Sequence, residues 1–293
     1  MRRLQICRSL IGIAKVAGLA ALLAVSGQAL AQIAGTKHNL GSTGTGQNKV
    51  TDTAEVCVFC HTPHASNTLM TSAPLWNKNV TSTTYQVYDT NVSSTIDGRV
   101  LQPGAGTGSV SVACLSCHDG AQAMDNIINA PGSGGYNALG VDSGIDPSIG
   151  RNYSWVAGGR VDADGRLTNG GGFIANLSTD LRNDHPVGIQ YCGGGQSSSA
   201  ATGACVDPDF VAPSNGVING AQVWWVDTSV GTTGRQKTDM ILYTRDFSSV
   251  SSGPTAAPSV ECASCHDPHI SNGTTFLRIA NTGSAVCLAC HTK

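Results

Sequence analysis

The chain has 293 residues, of which only 12 % are charged and 5 % aromatic, with 36 glycines against 5 phenylalanines. So few large side chains argue for many turns and short elements, and against a closely packed helical bundle or a doubly wound α/β enzyme. A net charge of −2 builds no polyanion-binding surface, so nucleic acid is not an expected partner.

In chain order, residues 1–31 read as a secretory leader. Arg2, Arg3, Arg8 and Lys15 precede the apolar run Val16–Val25, and Ala29-Leu30-Ala31 precedes Gln32. The run is broken by Lys15 and Gly18 and is short for a bilayer span; a retained anchor is the alternative. Removing the four basic leader residues leaves 13 basic against 19 acidic. No second run of spanning length follows, so the mature product is expected outside the cytoplasm, secreted to the cell surface or held in the periplasm, with no transmembrane segment, where thiols can be oxidised.

Residues 32–130 form a first segment with two Cys-x-x-Cys-His motifs, Cys57-Val-Phe-Cys60-His61 and Cys114-Leu-Ser-Cys117-His118. A helix is expected within 110–124 and a short strand at Tyr85–Tyr88. Residues 131–255 carry no such motif. This Gly- and Ser-rich middle region holds turn dipeptides at Pro131-Gly132 and Asp164-Gly165. Its short apolar runs Val223–Val226 and Met240–Tyr243 predict a β-hairpin. Trp224-Trp225 fits a small core better than a cofactor face. Residues 256–293 pack two further motifs, Cys262-Ala-Ser-Cys265-His266 and Cys287-Leu-Ala-Cys290-His291.

Cys-x-x-Cys-His is the attachment motif for c-type heme. Two thiols three positions apart on one turn form thioethers to one porphyrin edge, and the next residue offers its imidazole to the iron. Zinc is the rival reading, since paired Cys-x-x-Cys units also build structural zinc sites, but zinc needs no histidine after every second cysteine. A redox dithiol occurs once in a chain, not four times. Four covalently attached hemes c are therefore expected, on Cys57, Cys60, Cys114, Cys117, Cys262, Cys265, Cys287 and Cys290. Cys7 leaves with the leader, and Cys192 and Cys205 remain as a disulfide, with a thiol switch as the alternative.

His61, His118, His266 and His291 are the proximal ligands. Four histidines are left for four irons: His38, His64, His185 and His269. His64 and His269 each lie three residues beyond a proximal histidine, in Cys-His-Thr-Pro-His and Cys-His-Asp-Pro-His. From there an imidazole reaches a neighbouring heme more easily than the far face of its own. Pro63 and Pro268 stiffen that link, and Pro186 biases His185 toward an extended backbone. Methionine is the competing distal ligand, but Met70, Met124 and Met240 sit in no repeated context and read as core.

These segments resemble exported multiheme c-type cytochromes with paired Cys-x-x-Cys-His motifs, as found in metal-reducing bacteria. The likeness is carried by 57–64 with Pro-Leu-Trp-Asn at 74–77, by Cys-Leu-Ser-Cys-His-Asp-Gly at 114–120, by Asn-Asp-His-Pro at 183–186, and by 262–269 with Phe-Leu-Arg and 287–291. The resemblance implies bis-histidine low-spin hemes in a chain and a mostly irregular multiheme cytochrome c fold, low in secondary structure, with short helices at the motifs and a few short β-hairpins. It also implies electron transfer, with other redox proteins or extracellular acceptors as partners. Tetraheme members include outer-surface cytochromes that polymerise into conductive filaments, and His38 has the position of a histidine donated to a heme of the next subunit in such a homopolymer. The alternative is a multiheme reductase, in which one iron lacks its distal histidine and binds a small substrate.

Overall fold

The computed structural model describes residues 31–68, 70–79, 83–105, 109–132, 135–136, 151–170, 174–229, 231–250, 256–270 and 275–293. The expected leader lies outside them except for Ala31, as does much of the glycine-rich stretch 133–150. Among the described residues regular structure is sparse. Helices are α1 (Ala31–Ala34), α2 (Ser111–His118), α3 (Cys262–Cys265) and α4 (Ala285–Cys290). The last three carry Cys-x-x-Cys-His motifs, and the helix expected within 110–124 is α2. The expected irregular fold with short helices at the motifs is what the structure shows.

Five strands make one antiparallel sheet: β1 (Ile189–Gln190), β2 (Ser214–Ile218), β3 (Ala221–Val226), β4 (Met240–Asp246) and β5 (Ala256–Val260), in the order β1-β5-β4-β3-β2. The expected hairpin is the β3–β4 pair, with Trp224 opposite Leu242 and Val226 opposite Met240. A second hairpin, β2–β3, turns on Asn219 and Gly220, both left-handed at φ 50° and 79°. That pair of conformations is the two-residue turn whose twist matches the flanking strands, and Asn-Gly is its preferred sequence. Tyr85–Tyr88 does not become a strand. It makes a single bridge, Gln86 with Asp180, while Tyr85 and Val87 turn inward to pack with Leu115 and Leu181.

The apolar interior is divided into small clusters. The largest lies on the sheet, where Trp224, Val226, Met240, Leu242, Val260 and Tyr191 pack with Val286, Ala289 and Cys290 of α4. Trp224 is therefore core, and its indole N–H donates to the Ala201 carbonyl at 3.0 Å. Met70, Met124 and Met240 are all buried. Cys192 and Cys205 are joined as a disulfide, Cα to Cα 5.3 Å, on the edge of this cluster.

One buried polar assembly ties the sheet to two motifs. Arg245 on β4 and Glu261, after β5, form an ion pair with both side chains fully buried. Arg245 also donates to the carbonyls of Gln102 and Ala105, at 3.2 and 2.7 Å. Glu261 accepts from the Ser109 and Ser111 hydroxyls, and the Ser111 hydroxyl accepts from the Cys262 N–H at 2.9 Å. The start of α2 is thereby clamped to the start of α3. The middle region is also interleaved with both ends of the chain, since β5 pairs with β1 and β4, and Val50 and Ala123 bridge Trp155 and Arg166.

Candidate heme sites

Each motif folds as one helical turn. The proximal N–H donates to the carbonyl of the first cysteine four residues back, His61 to Cys57 at 2.8 Å, His266 to Cys262 at 3.1 Å and His291 to Cys287 at 2.9 Å. His118 ends α2. A helical turn sets residues three apart on one face, which is what two thioethers on one porphyrin edge require. After the third and fourth turns the chain goes extended, at φ −105°, ψ 140° for His266 and φ −96°, ψ 137° for His291.

The segments around the first and third motifs are structural copies. His61 bridges Trp76 as His266 bridges Leu277. Thr62 N–H donates to the Leu75 carbonyl as Asp267 N–H does to Phe276, both at 2.9 Å, and Asn77 N–H donates to Cys60 as Arg278 N–H does to Cys265, both at 2.8 Å. Leu75 and Phe276 are both left-handed, at φ 57° and 56°. Even the side chains correspond, since Asn77 donates to the Val58 carbonyl and Arg278 to the equivalent Ala263 carbonyl.

These loops aim the imidazoles. His61 Nδ1 lies 2.8 Å from the Pro74 carbonyl, His266 Nδ1 is 2.7 Å from that of Thr275, and His118 Nδ1 is 2.6 Å from that of Ala175. A carbonyl at Nδ1 fixes the tautomer and leaves Nε2 free for a metal. His185 Nδ1 has the Pro186 carbonyl at 3.1 Å.

The rings then meet in pairs. His38 faces His118 with ring centres 6.1 Å apart, His61 faces His269 at 6.0 Å, and His185 faces His291 at 6.5 Å. Each pair joins one proximal and one spare histidine. An iron held between two imidazoles needs about 2.0 Å on each side plus about 1.1 Å from nitrogen to ring centre, roughly 6.2 Å in all. The residues fit the group. His64 and His266 make no such ring contact among the described residues. His38 is further held by Phe276, stacked on it at 4.2 Å, and by a hydrogen bond to the Pro268 carbonyl.

The electrostatics suit axial ligation. Burial, followed by the neighbouring His118, lowers His38 to about 4. Burial also lowers His61, His118 and His185, so these rings stay neutral with a lone pair to offer. Burial pushes the thiols of Cys60 and Cys290 up to about 12 and that of Cys265 to about 11. Zinc would require these as thiolates, whereas a thioether carries no charge. Among the described residues, no group of three or more His, Cys, Asp or Glu side chains converges as a bare-metal site.

All sixteen expected cysteine and histidine ligands lie among the described residues. The positions missed from sequence are those that act through tertiary structure: Phe276 against His38, the carbonyls of Pro74, Ala175 and Thr275, and Lys78 beside Cys117. The likeness of Pro74-Leu75-Trp76-Asn77 to Thr275-Phe276-Leu277-Arg278 was the available signal for the duplicated loops.

No helix among the described residues is long and apolar enough to cross a membrane. Residues 254–293 match the family model of the doubled CXXCH motif. No curated protein matches the chain. The family match covers the third and fourth motifs, and the second copy of the same loop geometry at 57–78 lies outside it. These findings support a multiheme cytochrome-like protein with covalently bound heme c and a part in electron transfer.

Proposed function

We propose that the chain is an exported tetraheme cytochrome that relays electrons along four hemes c, each held between two of its own histidines. The observation that carries this reading is the spacing of three proximal–spare imidazole pairs at the separation an iron would span. Bound heme supplies one-electron redox cycling of iron without bond-making on a substrate. The chain supplies attachment, orientation and closure of both axial positions. His269 serves the first motif, His38 the second and His185 the fourth. His64 is the spare histidine that remains for the third motif, three residues beyond His61 as His269 is three beyond His266. The first and third motifs thus exchange their outlying histidines crosswise.

His38 lies against His118 of its own chain, which favours a self-contained unit over donation of His38 to the next subunit of a homopolymer. Partners are other redox proteins or an extracellular acceptor. Spectroscopy of the secreted protein tests the reading. Four hemes per chain, wholly low-spin, with no carbon monoxide bound after reduction, are expected. A high-spin component would favour the multiheme reductase instead. Single particles are expected by electron microscopy, and filaments with His38 seated in the adjoining subunit would overturn the self-contained unit.

A further inference from the structure

Lys78 has no part in attaching or ligating a heme, yet its side chain is fully buried. Its ammonium donates to the carbonyls of Ser116 at 2.8 Å, Ala123 at 2.9 Å and Met124 at 3.3 Å, and lies 3.2 Å from Cys117 Sγ. Ser116 and Cys117 belong to the second attachment turn. Carbonyl oxygens only accept, so this cage selects the amine with all three protons, which is the charged form. The partners that surround it are dipoles and a sulfur rather than a carboxylate. The nearby Asp119 carboxylate is taken up by the Tyr85 hydroxyl, the Gln122 side chain and the N–H groups of Ala121 and Gln122. The Asp125 carboxylate accepts from the Tyr153 N–H and makes no hydrogen bond to the ammonium, although it lies near enough for the Lys78 charge to draw its carboxyl downward against burial.

The duplicated loop places its buried cation one residue earlier, at Arg278, which donates to the Ala263 carbonyl and lies 4.0 Å from the Asp267 carboxylate. In the duplicated loop the position after Arg278 is Ile279, which packs as a partly buried apolar residue. The same turn therefore closes with a hydrocarbon in place of the ammonium. Burying an ammonium carries a desolvation penalty that an apolar residue avoids. What the charge adds is a field, and in a dry, low-dielectric interior that field is poorly screened.

Building on the tetraheme reading, we propose that Lys78 is a fixed positive charge set against the second attachment site, raising the potential there so that the second heme holds the first electron. The step concerned is one-electron exchange between adjacent irons. Bound heme would supply the one-electron exchange there, and Lys78 would hold its positive charge against the second attachment turn without transferring a proton. Lys78 is thus a positioning residue for charge rather than a ligand.

The test is an equilibrium redox titration of the holoprotein followed by heme NMR, with the second heme assigned through the altered signals of His38→Met. In the wild type the second heme is expected to reduce first. Lys78→Met is expected to weaken reduction at that heme at least tenfold, which is about 59 mV for a one-electron couple, while the other three move by less. Lys78→Arg, which keeps the charge, is expected to restore the order. The proposal is overturned if Lys78→Met leaves that heme unmoved or shifts all four alike, or if the wild-type second heme is not the first reduced. If Lys78→Met does not mature, the wild-type order and Lys78→Arg decide. Failure of the tetraheme reading would look different, as a high-spin spectrum or a heme count other than four in the wild type.

Discussion

His61 and His269 come from opposite ends of the chain, yet their rings lie 6.0 Å apart. This makes the axial assignment testable residue by residue. His269→Ala is expected to open one position at the first motif, giving one high-spin heme per chain that binds carbon monoxide when reduced. His64→Ala should open the third motif instead, so magnetic circular dichroism of the two variants should differ and the double variant should show two open hemes. A proximal histidine is legible from sequence because its role depends on a spacing of a few residues. The pairing of distal to proximal is not, because no local spacing ties His38 or His185 to a particular motif. Asp125 was equally silent. Burial raises its carboxyl above the ordinary value of 3.8. A raised folded value means that its contribution to stability is complete below the unfolded value and is lost as pH rises through the folded one. Asp125→Asn, whose amide oxygen can still accept from Tyr153, is expected to raise the melting temperature at pH 7 by about 2–4 °C. The gain should fade when the melt is repeated near pH 3.

At the scale of elements, the disulfide loop and the fourth motif share one packing cluster. Cys192 and Tyr191 pack with Val286, Ala289 and Cys290, and Val211 N–H donates to the Cys290 carbonyl at 2.8 Å. Replacing Cys192 and Cys205 by serine is expected to destabilise the chain by about 3 kcal/mol in urea unfolding, the entropy of a loop of this size. Local loosening should appear first at the fourth heme, as faster hydrogen exchange across 285–291. The β3–β4 hairpin was legible because aromatic and β-branched runs flank a glycine-rich link. The β2 strand was not, since Ser214-Asn215-Gly216 carries no strand pattern, although Asn219-Gly220 announced the turn that pairs it. Tyr85–Tyr88 misled for the opposite reason. Its alternation is real and buries Tyr85 and Val87, but Leu115 and Leu181 cover that face, and only Gln86 finds a backbone partner.

Across the whole molecule, the described interior is a set of small clusters rather than one continuous core. Four porphyrins would contribute much of the missing apolar area, at roughly 25 cal/mol per Å² removed from water. A variant with all eight motif cysteines replaced by serine is therefore expected to be largely unfolded by far-ultraviolet circular dichroism, and a native-like spectrum would refute this. The fold class was legible from composition, since so few bulky residues cannot fill a layered architecture. The arrangement of the segments was not, because β1, β4 and β5 pair across boundaries that composition suggests. The meeting of His61 with His269 also sets an order in which the first site is completed. Synthesis delivers the first motif early, but His269, whose ring lies 6.0 Å from that of His61, arrives only with the last part of the chain. A polypeptide cut short before His269 would leave His61 without its partner ring, so completeness of synthesis is written into the closure of a single site.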